Sequence, residues 1–132
     1  MERACFEREY EINASRNILF PYIHTAGGLA QWFADDVNLD PKKNFLFHWD
    51  GEVQPAILAN SRRDQYVRFE YLPKEGELNG HSLEYIEFFL EKNEFTDTTF
   101  LRIVDCSGEM EEEELEDIWE GMIDTLKELV GG

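Results

Sequence analysis

"SRNILFPYIHTAGGLAQWFADD", residues 15–36, sets two short apolar stretches around a glycine pair in a chain that is otherwise strongly charged. The spacing predicts a first short helix over residues 16–24, which Pro21 should shorten or kink. Gly27 and Gly28 are expected to end this helix and to act as a hinge before a second helical turn, "LAQWFA". The two short apolar helices are therefore expected to cover the sheet that the neighbouring strands form.

The preceding stretch, "CFEREYEIN" at residues 5–13, has the period of two that is typical of a strand with one buried face. Phe6, Tyr10 and Ile12 share the apolar face, and the glutamates lie on the opposite one. Arg8 is the charged residue that shares the apolar face. We therefore expect the first strand here, with a cation directed towards the core.

Between residues 44 and 106 the pattern predicts antiparallel strands. Asp50 and Gly51 are a two-residue hairpin signal, and "NSRRD" is expected to form the next turn, with Ala56 opposite Phe69. Both hairpins place the same residues on one apolar face. That face contains Phe45, Phe47, Trp49, Ala56, Leu58, Val67, Phe69 and Tyr71.

A third hairpin and a long helix complete the pattern. The hairpin is expected around "KNEFTD", with Glu87 opposite Arg102, so that Ile86, Phe88, Leu101 and Ile103 point inward. An amphipathic helix is expected over residues 109–130. Its apolar stripe contains Leu115, Ile118, Trp119, Met122, Ile123, Leu126, Leu129 and Val130. Gly121 within this helix is expected to have a packing role, because glycine lowers helix stability.

The charge balance restricts the partners. The chain has 29 acidic and 12 basic residues, a net charge of −17, which repels phosphate backbones. We therefore expect no nucleic-acid partner and no attraction to anionic membranes, while solubility and a basic protein surface both remain explanations of the charge. No apolar run approaches the roughly 20 residues of a membrane span. The first twelve residues lack an apolar signal region, which predicts a cytoplasmic protein.

The sequence contains none of the common catalytic motifs. There is no nucleophile elbow, zinc-protease helix, phosphate-binding loop or dinucleotide-binding glycine pattern. The histidines have no metal-ligand spacing, and the acidic runs lack the alternation of a calcium loop. We therefore expect no catalytic residue, no metal site and no cofactor.

Several landmarks together resemble a known superfamily. "INASRNILFPYIHTAGGLAQWFAD" at residues 12–35 contains a leucine-x-x-tryptophan turn at Leu29 and Trp32, followed by "DGEV" (50–53) and "IWEGMIDTLKELV" (118–130). This order is similar to START-like (helix-grip, SRPBCC) proteins, in particular the branch related to heat-shock chaperone ATPase activators. The resemblance covers nearly the whole chain and implies a single α+β domain over residues 1–132. It implies a curved antiparallel sheet of about six strands, two short helices after the first strand, and a long C-terminal helix packed across the sheet.

The resemblance also implies a cavity between the sheet and the long helix, with Trp32 and Phe33 capping its mouth. The expected ligand-binding residues are Arg8, Tyr10, Trp32, Phe33, Phe47, Trp49, Gln54, Phe69, Tyr71, Trp119, Met122 and Leu126. Each aromatic residue in this set has solid core packing as its alternative. Arg8 has two expected roles, which are to pair an anionic headgroup or to satisfy a core carboxylate such as Glu52.

Three functions follow as expectations. The first is non-catalytic binding of an apolar or amphipathic small molecule, lipid-like or aromatic, in this cavity. The alternative is a protein-interaction module, similar to a chaperone activator, that presents the acidic C-terminal helix to a basic protein surface. The third is an enzyme similar to polyketide cyclases, for which the inward-facing titratable groups are few. Because fold is a weak guide to function, the first stands only slightly ahead.

The two cysteines lie near opposite ends of the chain, at Cys5 and Cys106. Reduced thiols are the default in the cytoplasm, so two free thiols are expected. In the fold that the resemblance implies, the first and last strands can be neighbours. Pairing Glu9 with Arg102 would then place the two cysteines opposite each other, where they could form a disulfide if their Cα atoms lay within about 7 Å.

Overall fold

The computed structural model describes residues 5–73, 84–107 and 110–131 of the 132-residue chain. In chain order its elements are β1 (Phe6–Ile12), α1 (Arg16–His24), α2 (Ala26–Leu29), β2 (Asp36–Leu39), β3 (Phe45–Trp49), β4 (Glu52–Arg62), β5 (Tyr66–Tyr71), β6 (Tyr85–Asn93), β7 (Thr98–Cys106) and α3 (Glu112–Leu129). The predicted first residue of the last helix, 109, lies outside the described residues. Since residues 110 and 111 are not helical, α3 begins later than predicted.

All seven strands form one antiparallel sheet in the order β1-β7-β6-β5-β4-β3-β2. The strand that sequence reasoning missed is β2, which pairs with β3 at the edge of the sheet. It was missed because a single buried side chain, Val37, provides no alternation to recognise. Apart from this edge strand, the α+β helix-grip architecture is as predicted.

Two of the predicted strand registers are wrong by two residues. Ala56 lies opposite Tyr71 instead of Phe69, because β4 continues through the predicted turn and its pairing shifts at a bulge after Leu58. Arg102 likewise lies opposite Phe89, because the turn between β6 and β7 occupies residues 94–97. A shift of two residues keeps every side chain on its original face, so the predicted apolar face is retained.

Gly28 packs α2 closely against α1, and both glycines lie within α2 instead of ending α1. Helix α1 has its predicted bounds, but α2 begins at Ala26 and contains both glycines. The Thr25 hydroxyl caps α2 by accepting a hydrogen bond from the Gly28 amide at 2.9 Å. A Cβ atom at Gly28 would lie 2.7 Å from the Cα atom of Tyr22, so only glycine allows this close approach.

Helix α3 covers the apolar face of the sheet. Trp119, Ile123 and Leu126 are buried, and the Trp119 ring lies 6.2 Å from the Phe88 ring of β6, measured between centroids. Gly121 lies on the opposite side of α3, where a Cβ atom would meet nothing within 4 Å. The predicted packing role for Gly121 is therefore wrong.

A disulfide joins the first strand to the last. Glu9 lies opposite Arg102 as predicted, and Cys5 and Cys106 are bonded with their Cα atoms 4.4 Å apart. The expectation of two free thiols is therefore wrong for this structure. The reason is the pairing of β1 with β7, which brings together two residues separated by 101 positions in the sequence.

Candidate functional site

A cleft with a volume of about 830 Å³ opens where α3 meets one end of the sheet. Its walls come from the segment after α2, the β3–β4 turn, the end of β5, the end of β7 and one side of α3. The hairpin at Asp50 and Gly51 defines this end of the sheet, since both residues have the positive φ angles, 49° and 81°, that a tight turn requires. The cleft therefore forms where strands end and cannot pack further against the helix.

All three tryptophans of the chain line this cleft. The indole N–H of Trp32 donates to the Tyr22 carbonyl oxygen at 2.8 Å, and that of Trp49 donates to the Phe33 carbonyl oxygen at 2.9 Å. These bonds fix the ring orientations and use the indole donors. What Trp32 and Trp49 present to the cleft is thus apolar ring surface.

A buried carboxylate lies at the polar end of the cleft. Asp105 Oδ2 accepts the indole N–H of Trp119 at 3.0 Å, and Asp105 Oδ1 accepts both the amide, at 3.1 Å, and the hydroxyl of Ser107. Burial raises the pKa of Asp105, and these hydrogen bonds oppose the shift. Burial also raises the pKa of the neighbouring Tyr71 hydroxyl, with Asp105 and Glu84 adding like-charge repulsion.

Gln54 and Asp35 are two further polar side chains of the cleft. The Gln54 side-chain amide donates to the carbonyl oxygens of Pro55, at 2.8 Å, and Leu72, at 3.0 Å. Both of its hydrogens are used, so its remaining capacity is as an acceptor through Oε1. On the opposite wall, Asp35 Oδ2 accepts the backbone amide of Asp50 at 2.9 Å, which holds the hairpin turn against the segment after α2.

The structure brings most of the predicted site residues to this cleft. These are Trp32, Phe33, Trp49, Gln54, Tyr71, Trp119 and Met122. Phe47, Phe69 and Leu126 instead lie in the core and are fully buried. Phe47 of β3 and Phe69 of β5 face the same side of the sheet as the cleft residues, and Leu126 of α3 packs into the same core.

Arg8 and Tyr10 do not reach the cleft. The Arg8 guanidinium lies 2.9 Å from Glu112 and 3.6 Å from Glu116, both on α3, so its partner is neither Glu52 nor a group in the cleft. The Tyr10 hydroxyl is buried without a hydrogen-bond partner in the described part of the chain, and burial raises its pKa. Neither residue lines the cleft, because the start of α3 lies against Arg8 of β1.

Sequence reasoning missed several residues of the cleft. Asp105 alternates with Leu101 and Ile103 along β7, so the period of two could have identified it as inward-facing. Leu115 and Ile118 belong to the predicted apolar stripe of α3 and line the cleft through the part of that stripe that the sheet leaves uncovered. No pattern in the sequence separates the covered from the uncovered part.

A second, smaller groove of about 570 Å³ lies near the hairpin between β6 and β7. Its lining is mostly polar and includes Asn13, Asn17, Lys92 and Thr99. It contains no tryptophan and no apolar wall of the kind found in the cleft. It therefore serves as an internal reference for binding at the cleft.

Within residues 5–73, 84–107 and 110–131, no three side chains of His, Cys, Asp or Glu come together so as to hold a metal ion. Among the helices in these same ranges, none has the length and hydropathy needed to cross a membrane. That the protein uses no cofactor stays a prediction.

The sheet, the two short helices and the crossing α3 define a helix-grip protein with an open cleft at one end. The START-like superfamily domain matches residues 1–132, and the chain belongs to that superfamily. The family predicted from the sequence is thus confirmed. The comparison with curated proteins found no significant match.

Solved structures share the fold at low sequence identity. The Aha1 dimer from Colwellia psychrerythraea is 18% identical, with a TM-score of 0.73 and 96% of each chain covered. CalU16 from Micromonospora echinospora is 16% identical, with a TM-score of 0.62, covering 99% of this chain and 84% of that one. DynU16, from the dynemicin biosynthetic locus, is 14% identical, with a TM-score of 0.69, covering 94% of this chain and 46% of that one.

Proposed function

We propose that the protein binds an apolar or amphipathic small molecule in the cleft between the sheet and α3, without catalysing a reaction. The observation that carries this proposal is a cleft of about 830 Å³ lined by every tryptophan of the chain. Pockets for small molecules are typically concave and mostly apolar, with a few polar groups that fix orientation. Asp105, Tyr71 and Gln54 are the polar groups of this cleft.

The ligand would lie at the end of the sheet, against α3, and would not thread through the core. The Phe33 ring closes the inner side, with its centroid 5.2 Å from that of Phe47 and 5.7 Å from that of Phe88. On the outer side, Ile118 is 45% exposed although it belongs to the apolar stripe of α3. An apolar ligand that covers this surface would gain about 25 cal/mol for each Å² removed from water.

The proposal is tested by native mass spectrometry of the purified protein, followed by denaturing extraction of any bound species. Ile118→Trp would fill the cleft, while Leu129→Trp adds the same side chain at a similarly exposed position of α3 that does not line it. We expect a bound species, or retained 1-octanol after incubation, in the wild type and in Leu129→Trp but not in Ile118→Trp. A bare protein mass for all three chains under both conditions would contradict the proposal.

A second candidate function is a protein-interaction module that uses the acidic start of α3. Glu112, Glu113 and Glu114 are exposed in its first turn, and Arg8 lies beside Glu112. A basic protein surface would complement this negative region. Binding that weakens in high salt and is lost in a Glu113→Gln, Glu114→Gln variant would support this function over ligand binding.

A third candidate, a cyclase-like enzyme, would rely on Asp105 and Tyr71 as the titratable pair in the cleft. Ser107 and Trp119 already hydrogen-bond to Asp105, so this function has less support than binding.

The cytoplasmic location also stays a prediction. A stable disulfide is uncommon in that compartment, so thiol titration of the protein from freshly lysed cells would test it.

A further inference from the structure

We propose that the cleft selects a small organic cation, that is, an amine or ammonium group attached to an apolar body, over a neutral or anionic molecule of similar shape. This inference rests on the proposed function, because it names the chemical class of ligand for the same cleft. It follows from the charge of the walls, from their hydrogen-bonding capacity and from the orientation of their aromatic rings.

The charge of the walls has one sign. Acidic side chains line the cleft at Asp35, Asp50, Glu52, Glu84 and Asp105, and none of the described lining residues is Lys, Arg or His. Carboxylates around a partly apolar concavity focus a negative potential into it. A ligand with a carboxylate or phosphate would therefore be repelled, whereas an ammonium group would be attracted.

Arg8, the cation that the sequence analysis placed on the inward face, is held outside the cleft. Arg8 forms ion pairs with Glu112 and Glu116 of α3, at 2.9 Å and 3.6 Å, and does not line the cleft. The expected pairing of Arg8 with an anionic headgroup thus has no geometric basis. Among the described residues that line the cleft no side chain carries a positive charge, and an ammonium group of the ligand would supply one.

Most side-chain donors of the cleft are used within the protein, and Gln31, whose amide donates to the Gly27 carbonyl oxygen at 3.4 Å, keeps one amide hydrogen. The three indole N–H groups donate to protein acceptors, and so do the amide of Gln54 and the hydroxyls of Ser107 and Thr125. What remains is mainly acceptor capacity, from the carboxylates of Asp35, Asp50, Glu52 and Asp105 and from Gln54 Oε1. An ammonium group, which only donates hydrogen bonds, complements such a wall, and a carboxylate, which only accepts them, does not.

The aromatic rings add a second attraction for a cation. Trp32 and Trp119 have ring centroids 6.3 Å apart, and Phe33 packs edge-on against Trp49 at 5.2 Å. Trp32 and Trp119 are buried, and Trp49, whose indole N–H donates to the Phe33 carbonyl oxygen, is half-buried, so the ring surface open to a ligand comes mainly from Trp49. Ring faces attract ammonium groups through cation–π interactions, and tryptophan is the strongest of the aromatic side chains.

The experiment compares three ligands with the same eight-carbon chain: octylamine, 1-octanol and sodium octanoate. Since every tryptophan lines the cleft, intrinsic tryptophan fluorescence reports on this site directly. We expect octylamine to bind at least about tenfold more tightly than octanoate, with octanol in between. Raising the salt concentration should weaken octylamine binding and leave octanol binding unchanged, because salt screens charge interactions.

A pair of variants assigns the selectivity to the cleft. Asp50→Asn with Glu52→Gln removes two rim carboxylates and keeps the hairpin turn, since Asn-Gly is a favoured turn pair. The matched control, Glu113→Gln with Glu128→Gln, removes two exposed carboxylates of α3 that do not line the cleft. The rim variant should reduce the preference for octylamine over octanoate by about threefold, and the control should retain it.

The outcomes separate the two proposals. If none of the three ligands changes the fluorescence, the proposed function fails. If octanol and octanoate bind as tightly as octylamine, ligand binding stands and the selection of a cation is wrong. If the control variant lost the preference for octylamine to the same extent, the preference would arise from the overall charge of the protein. This result would overturn the role given to the cleft.

Discussion

The centre and the end of the same sheet face use similar aromatic residues for different purposes. At the centre, Phe47 and Phe69 are fully buried with ring centroids 5.5 Å apart. At the end, the neighbouring Trp49 is only half-buried and lines the cleft. The position of α3 makes the difference, because it covers the centre completely and leaves the end open.

The largest expected effect is a difference in stability between substitutions at the centre and at the end of the sheet. Phe47→Ala should lower the free energy of unfolding by about 4 kcal/mol, since it leaves a cavity in a packed core. Trp49→Ala should cost only about 1.5 kcal/mol, because its ring is already partly exposed, yet it should weaken ligand binding. Urea unfolding of both variants checks the stabilities, and octylamine titration checks the binding. Similar losses of stability would remove the distinction between a filled centre and an open end.

The next effect concerns the disulfide, which fastens β1 to β7 immediately beyond the cleft residue Asp105. It closes a loop across 101 positions, so replacing both cysteines with serine should lower the free energy of unfolding by about 3 kcal/mol. Adding a reductant should destabilise the wild type and leave the double variant unchanged, as measured by thermal unfolding. Equal melting temperatures for the oxidised wild type and the variant would show that hydrogen bonds between the strands suffice to hold this end.

Two glycines provide a smaller, matched comparison between a packed and an open position. Gly28→Ala should destabilise the protein by about 2 kcal/mol, because its Cβ atom would collide with the backbone of α1. Gly121→Ala should stabilise it by about 1 kcal/mol, because the site is exposed and helical. Thermal unfolding of both variants distinguishes these outcomes. Stabilisation by both substitutions would contradict the close packing assigned to Gly28.

The smallest effect is a pH dependence that arises in the cleft. Burial raises the pKa of Asp105 above its ordinary value of 3.8, so the folded protein holds this proton more tightly than the unfolded chain does. The stability that this group contributes is therefore complete below pH 3.8 and is lost as the pH rises through the raised pKa. Asp105→Asn should flatten the decline in stability that this group causes as the pH rises above 3.8, as measured by urea unfolding. Glu113→Gln removes an exposed carboxylate outside the cleft and is the matched control variant.

The fold and its buried face could be predicted from the sequence. An error of two residues in strand register leaves every side chain on the same face of the sheet. Ala56 and Phe69 remain on the inward face although their predicted pairing was wrong by two residues. Spacing and amphipathicity predicted the two short helices and the long one, and the family resemblance predicted that the long helix packs across the sheet. The short edge strand β2 could not be recognised, since Val37 alone faces the core.

The site was only partly predictable, because its limits depend on where α3 stops covering the sheet. Nothing in the local pattern separates Phe47, which is buried, from Trp49, which lines the cleft. The partner of Arg8 was equally hidden, because the start of α3 reaches β1 only in the folded chain. Asp105, in contrast, could have been found by continuing the alternation of β7 to its end.

The most direct test of the cleft is a titration of ¹⁵N-labelled protein with octylamine, followed through the three indole N–H signals in heteronuclear NMR spectra. The indoles of Trp32, Trp49 and Trp119 all lie in the cleft walls, so the account predicts that all three signals shift together along one saturation curve. The amides of Asn13 and Thr99, in the polar groove, should stay in place. Unchanged indole signals while amides elsewhere respond would contradict the assignment of ligand binding to this cleft.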